Sequence, residues 1–199
     1  VLAAYRLAQQ RGWRRGVVVV AAVMWGVCLG YPFAAGITRA SAYGGPVTLD
    51  STEYLRREDP TVYGAYRWLS ENAGPKDILV EAVGEDYDAH SNRLSAWTGV
   101  PTILGWPGHE IQWRGDDREV ERRMADVERL YRSTDREEVL EIMTRYGATI
   151  LYIGRNEKEA YGIDRARLEW YAGFLEQGYE ADGAILYRLP GSAVHQEKQ

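Results

Sequence analysis

Cysteine is nearly absent: Cys28 stands alone among 199 residues, so no intrachain disulfide can staple the fold and no CxxC pair is available for zinc. Histidine is almost as scarce. His90, His109 and His195 are the only three, and none of them stands in the H-E-x-x-H spacing of a zinc helix. The first 45 residues hold no acid but five arginines, Arg6, Arg11, Arg14, Arg15 and Arg39. Of the 24 basic residues, 19 therefore remain against 29 acidic ones beyond that point, a balance of −10. A field of that sign repels phosphate backbones, and no basic patch interrupts it, which argues against a nucleic-acid partner. Phosphate-cradling loops are missing as well. Gly105-Trp106-Pro107-Gly108 lacks the Lys-Ser/Thr of a Walker loop and no G-x-G-x-x-G occurs, so no nucleotide cofactor is expected.

What is present begins with an apolar run. Gly16 to Thr38 contains no Asp, Glu, Lys, Arg or His, and as helix its length reaches about 34 Å, enough for a hydrocarbon core of about 30 Å. Four arginines precede the run and only Arg39 follows closely, so the positive-inside rule puts the N-terminal end in the cytoplasm and the rest outside. Two rivals stand beside a spanning helix. A cleaved signal peptide would use Ala40-Ser41-Ala42 as its site, and a buried soluble helix would need a polar face that Val17–Val23 lacks. The chain starts without Met, and it is read here as the C-terminal part of something longer. The expected organisation is a basic cytoplasmic flank (1–15), a transmembrane helix (16–38), a linker (39–48), an extracytoplasmic domain (49–190) and a disordered tail (191–199).

Beyond the linker, helical and strand patterns alternate. Asp59-Pro60 caps and opens a helix with Val62, Tyr66 and Leu69 on one face, stopped by Gly74-Pro75. Apolar, β-branched stretches at 77–83, 101–105, 148–154 and 184–189 read as strands. Val120, Met124, Val127 and Tyr131, then Val139, Ile142, Met143 and Tyr146, recur at helical spacing, and Asp164 opens a further helix. This order predicts an α/β fold: one N-terminal transmembrane helix, then a small, mostly parallel α/β/α sandwich, Rossmann-like without the dinucleotide motif, with room for an antiparallel C-terminal hairpin.

In open α/β sheets ligands gather at the carboxyl ends of strands. Polar and aromatic side chains follow the first three predicted strands: Arg93 and Ser95 after the first, Trp106, His109, Glu110, Gln112, Trp113 and Arg114 after the second, Glu157 and Tyr161 after the third. These ten are the candidate ligand-binding residues. Trp97, Trp106 and Trp113 offer flat faces for a sugar or prenyl chain, and Arg93 and Arg114 can pair with phosphate. The bland alternative makes the tryptophans core and pairs the arginines with Glu110, Asp116 or Asp117.

The segment Thr98–Trp106 followed by His109-Glu110-Ile111-Gln112-Trp113-Arg114 resembles the YYY family of polytopic membrane proteins. Arg93-Leu94-Ser95, Thr48-Leu49-Asp50, Trp68-Leu69, Tyr152-Ile153-Gly154, Glu157 and Tyr161 extend the resemblance over most of 46–188. It implies a multi-helix protein related in architecture to GT-C glycosyltransferases that use lipid-linked sugars. This chain would be its last helix and C-terminal domain, with the catalytic acids in an early loop outside this sequence. The implied partners are the lipid bilayer, upstream helices of the same protein and a lipid-linked sugar, and the implied location is the cell membrane.

Two further chemistries can be drawn from the residues themselves. A metal-dependent hydrolase would use His90, His109 and Glu110 or Asp86, although no bound metal or other cofactor is expected. A triad would join Ser95 or Ser91 to His109 and Asp86, without a G-x-S-x-G elbow. A binding or scaffold module without chemistry remains the alternative to the transferase reading.

Overall fold

The computed structural model describes residues 13–42, 44 and 48–192. The expectations for the basic flank before Trp13, for most of the linker turn and for the tail beyond Ser192 lie outside the described residues. The chain divides into two compact units at Leu49/Asp50.

The first unit contains α1 (Trp13–Ala42), longer at both ends than the apolar run. Its side chains are exposed almost throughout, Trp25 at 70% and Phe33 at 72%. The segment Arg15–Ala42 has a mean hydropathy of 2.1 in its most apolar window and is long and apolar enough to cross a membrane. The two hydroxyls near its end turn inward on the helix, Thr38 Oγ1 donating to Ala34 O at 2.8 Å and Ser41 Oγ to Thr38 O at 3.0 Å. Such internal bonds satisfy polar groups where no water is available.

The second unit runs in the order α2 (Glu53–Glu58), α3 (Pro60–Asn72), β1 (Leu79–Val80), α4 (Arg93–Thr98), α5 (Pro107–Arg114), α6 (Arg118–Arg132), α7 (Arg136–Tyr146), β2 (Ile150–Ile153), α8 (Arg155–Tyr161), α9 (Arg165–Ala172), β3 (Glu176–Ala181) and β4 (Ala184–Arg188). Several ends follow from capping chemistry. Asp59 accepts Val62 N–H and Pro60 occupies the first turn of α3, Asp135 accepts Glu137 N–H at the start of α7, and Gly147 closes that helix at φ 65°, where a Cβ would be strained.

The α/β class holds, but the sheet is mixed. Its order is β1-β2-β4-β3, with β1 and β2 parallel and the other two pairs antiparallel. The parallel strand expected at 101–105 shrinks to one bridge between Leu79 and Thr102, held by Leu79 N to Pro101 O and Ile103 N to Leu79 O. Pro101 has no N–H to extend that ladder, and the chain leaves at once for α5. The antiparallel share comes from the C-terminal hairpin of β3 and β4.

Both faces of the sheet are covered, which is why every residue of β1, β2 and β4 is buried. Alternation sends successive side chains to opposite sides. Val80, Leu151, Ile153, Ile185 and Tyr187 join Val127, Leu130 and Tyr131 of α6, Val139, Ile142 and Met143 of α7 and Tyr171 of α9 in one cluster. Leu79, Ile150, Tyr152 and Leu186 join Ala65 and Leu69 of α3 and Leu94 of α4 in the other. Each large apolar side chain so buried contributes about 1.5–3 kcal/mol before the entropy of ordering it. The Tyr131 hydroxyl lies 3.1 Å from Val80 O and 2.8 Å from Tyr152 O, tying α6 to the carboxyl ends of both parallel strands.

Candidate functional site

β1 leads into Glu81 and β2 into Gly154-Arg155, so the carboxyl ends of the parallel pair lie side by side. Glu81, 4% exposed, accepts Leu94 N–H at 3.1 Å and Ser95 N–H at 2.9 Å, fastening the first turn of α4. Glu157, 2% exposed, accepts Ala82 N–H and Gly154 N–H, both at 2.9 Å, closing the start of α8 onto the end of β1. Burial pushes the Glu81 carboxyl up to about 7, the Glu157 charge adds to the rise, and the backbone N–H groups of α4 oppose it. Glu157 is likewise raised by burial against the pull of its backbone donors. Burial, with the Glu157 and Glu81 charges, lifts the Tyr152 hydroxyl far above the ordinary phenol range.

These groups line a cavity of about 70 Å³, with Asp59, His90, Asn92, Arg93, Arg155 and Asn156 among its other walls. Arg93 Nη1 donates to Asp59 Oδ2 at 3.1 Å, and its side chain is only 10% exposed. Asn156 Nδ2 donates to His90 O at 2.8 Å, joining α8 to the loop before α4. Asn92, at φ 53°, donates Nδ2 to Leu104 O, while its buried Oδ1 has no partner.

The second feature is α5. Pro107 takes its first position, Asp86 Oδ1 accepts Gly108 N–H at 2.8 Å, and Gly115 ends it at φ 71°. A Cβ on Gly108 would lie 2.0 Å from Asp86 Oδ2, so the close approach that holds the helix needs glycine there. No residue of α5 is buried. Trp106, His109, Glu110, Trp113 and Arg114 line an open groove, with the Tyr87 and Trp106 rings 4.8 and 5.2 Å from His109. Trp113 is 84% exposed, and Arg114 Nε donates to Glu110 Oε2 at 2.6 Å.

The ten candidate residues thus fall into three places. Arg93 and Glu157 line the cavity, and Ser95 serves it through the N–H given to Glu81, its hydroxyl bonding Asn92 O. Trp106, His109, Glu110, Trp113 and Arg114 share the groove, with Gln112 exposed on the same helix. Tyr161 stands apart, stacked on Tyr131 at 4.5 Å and 9°, beside a different groove that includes Val83 and Met124. Trp97 packs with Tyr54 and Tyr66.

Sequence reasoning passed over Asp59, Glu81 and Tyr152 as site residues, and placed Arg155 and Asn156 at the same strand end as Glu157 without choosing them as ligand-binding residues. One signal was available: an acid between Val80 and Ala82 interrupts an apolar strand, and a buried acid demands donors. The drawn triad does not assemble, since Ser91 Oγ bonds Asp88, Ser95 Oγ bonds Asn92 O and Asp86 caps α5. Among the described residues no group of three or more His, Cys, Asp or Glu side chains is gathered to hold a metal ion. No family model, curated protein or solved structure matches this chain.

Proposed function

We propose that this chain is the C-terminal part of a polytopic membrane protein of the YYY kind, a GT-C-like glycosyltransferase acting on lipid-linked sugars at the cell membrane. Its extracytoplasmic domain binds the sugar and phosphate, and the catalytic acids come from elsewhere in the protein. The paired β1 and β2 with helices on both faces form the Rossmann-like half in this reading. The bilayer receives α1, and upstream helices of the same protein pack beside it.

One observation carries the binding role. Trp113 lies open on a helix with no buried residue, in a groove shared with Trp106, His109 and Arg114. Indole faces stack on the C–H face of a sugar, and a guanidinium pairs with phosphate. The runner-up, a module that binds or scaffolds without serving a transferase, draws on a different fact: both buried carboxylates are occupied by backbone N–H groups.

Calorimetric titration of the full chain in detergent with a short-chain prenyl-phosphate mannose tests the reading. Saturable heat is expected, and Trp113→Ala should weaken binding about tenfold, or about 1.4 kcal/mol. The same substitution should leave folding stability within about 0.5 kcal/mol, as for an exposed residue with no folding role. Equal binding by wild type and variant, or no binding by either, would remove the groove from the account.

A further inference from the structure

We propose that the cavity at the carboxyl ends of β1 and β2 is a subsite for a single neutral sugar ring. It would be held by the carboxylates of Asp59 and Glu81 as acceptors, by Arg93, Arg155 and Asn156 as donors, and by the Tyr152 hydroxyl. This inference rests on the cavity alone and not on the groove of α5.

Size is the first argument. The cavity has room for about five waters, which admits a small polyol and is too small for a nucleotide or an oligosaccharide. The chemistry of the walls is the second. A bare anion would meet the Asp59 carboxylate, and a bare cation would meet Arg93 and Arg155, so either would face like charge. A polyol suits the mixture, because each hydroxyl both donates and accepts.

Capacity for such a ligand is left over in the walls. The two oxygens of Glu81 take one N–H each, Oε1 from Ser95 and Oε2 from Leu94, so each keeps a lone pair. Arg155 is exposed and makes no hydrogen bond or ion pair among the described residues. Asn92 Oδ1, on a residue 8% exposed, is buried without a partner, and the Tyr152 hydroxyl, on a residue 5% exposed, makes no hydrogen bond among the described residues. Buried polar groups are normally satisfied, and a buried oxygen left open beside an unbonded hydroxyl, at one cavity on a sheet's carboxyl edge, points to a ligand that satisfies both.

Saturation-transfer NMR on the full chain in deuterated detergent tests this. Methyl α-mannoside, methyl β-glucoside and N-acetylglucosamine are offered singly at about 10 mM, suited to the weak affinity of a lone ring. Saturation transfer to at least one sugar is expected. Tyr152→Phe keeps the ring's packing and removes an unbonded hydroxyl, so the fold should stand while affinity falls about fivefold, the worth of one hydrogen bond. Arg155→Ala should weaken binding similarly, and Trp113→Ala should change nothing.

The proposal is overturned by no transfer to any of the three sugars or by transfer that survives both cavity substitutions. Loss of transfer in Trp113→Ala alone would likewise overturn it and assign the ring to α5. Failure of the prenyl-phosphate mannose titration, with the cavity result intact, would fall on the groove only.

Discussion

Replacing Asp77 with alanine is expected to destabilise the domain by about 3–5 kcal/mol, because it strips the partner from a buried guanidinium. Asp77 is 6% exposed and Arg188 3%. Arg188 reaches both carboxylate oxygens, Nη1 to Oδ1 at 3.3 Å and Nη2 to Oδ2 at 3.2 Å, and Nη2 also donates to Asn72 O at 2.6 Å. Thr149 Oγ1 and Gly74 N–H complete the carboxylate, at 2.6 and 2.8 Å. The pair therefore joins the end of α3, the approach to β1, the approach to β2 and the last residue of β4. Burial alone would raise the Asp77 carboxyl, but the Thr149 and Gly74 donors and the Arg188 charge together hold it below the ordinary value. Its folded value is depressed, so its stabilising share is present above the unfolded value near 3.8 and is lost as pH falls further. Denaturant titration checks the loss, and Asp77→Ala combined with Arg188→Met should recover part of it, since an apolar replacement of both partners leaves no stranded charge. A single-variant loss under about 1 kcal/mol would show that Arg188 reaches solvent and needs no counterion.

The second large effect is a fall in stability as pH rises. Glu81 has its folded value raised to about 7 against 4.5 for the free side chain. Between those two values the folded chain holds a proton that the unfolded chain has released, so stability declines with increasing pH through that window. The gap corresponds to about 3 kcal/mol at most. Glu157, raised as well, adds in the same direction. Denaturation midpoints should therefore be higher near pH 5 than near pH 8. Glu81→Gln should flatten most of this slope, at the expense of stability near pH 5, where its amide turns a donor toward the N–H of Leu94 or Ser95 and forfeits about 1–2 kcal/mol. A wild-type profile flat across the window would mean that Glu81 stays charged in the folded domain, well hydrated or paired.

The parts of this structure that were legible in the sequence are those in which one element carries its own signal. The helix α1 shows itself by lacking charge over Gly16–Thr38, and α6 and α7 by apolar residues at helical spacing. The strands β2 and β4 are compact β-branched or apolar runs ended by Gly154 and Pro190. The helix α5 was hidden because Trp106-Pro107-Gly108 has the composition of a turn. It is opened by a remote cap from Asp86, which no local pattern announces. The strand at 101–105 was overread because an apolar run pairs only where its partner offers a ladder, and β1 is two residues long.

The site divides in the same way. The aromatic and basic block of Trp106–Arg114 stood out by composition, and its exposure on α5 needed the structure, since tryptophan is as often buried as displayed. The cavity was legible only in pieces. Arg93 and Glu157 were singled out, but Asp59, Glu81 and Tyr152 read as a helix cap, a strand acid and a strand aromatic. Strand pairing between Val80 and Leu151 is what brings Glu81 and Tyr152 to one edge, and such pairing over 71 residues has no local trace.

The most direct test of the account is to label the full chain in bilayer nanodiscs with a prenyl-phosphate mannose bearing a photoreactive diazirine on the sugar, and to map the labelled peptides by mass spectrometry. Label is expected on Trp106–Arg114, competed by unlabelled prenyl-phosphate mannose and lost in Trp113→Ala. Label confined to α1, or none that competes, would contradict it.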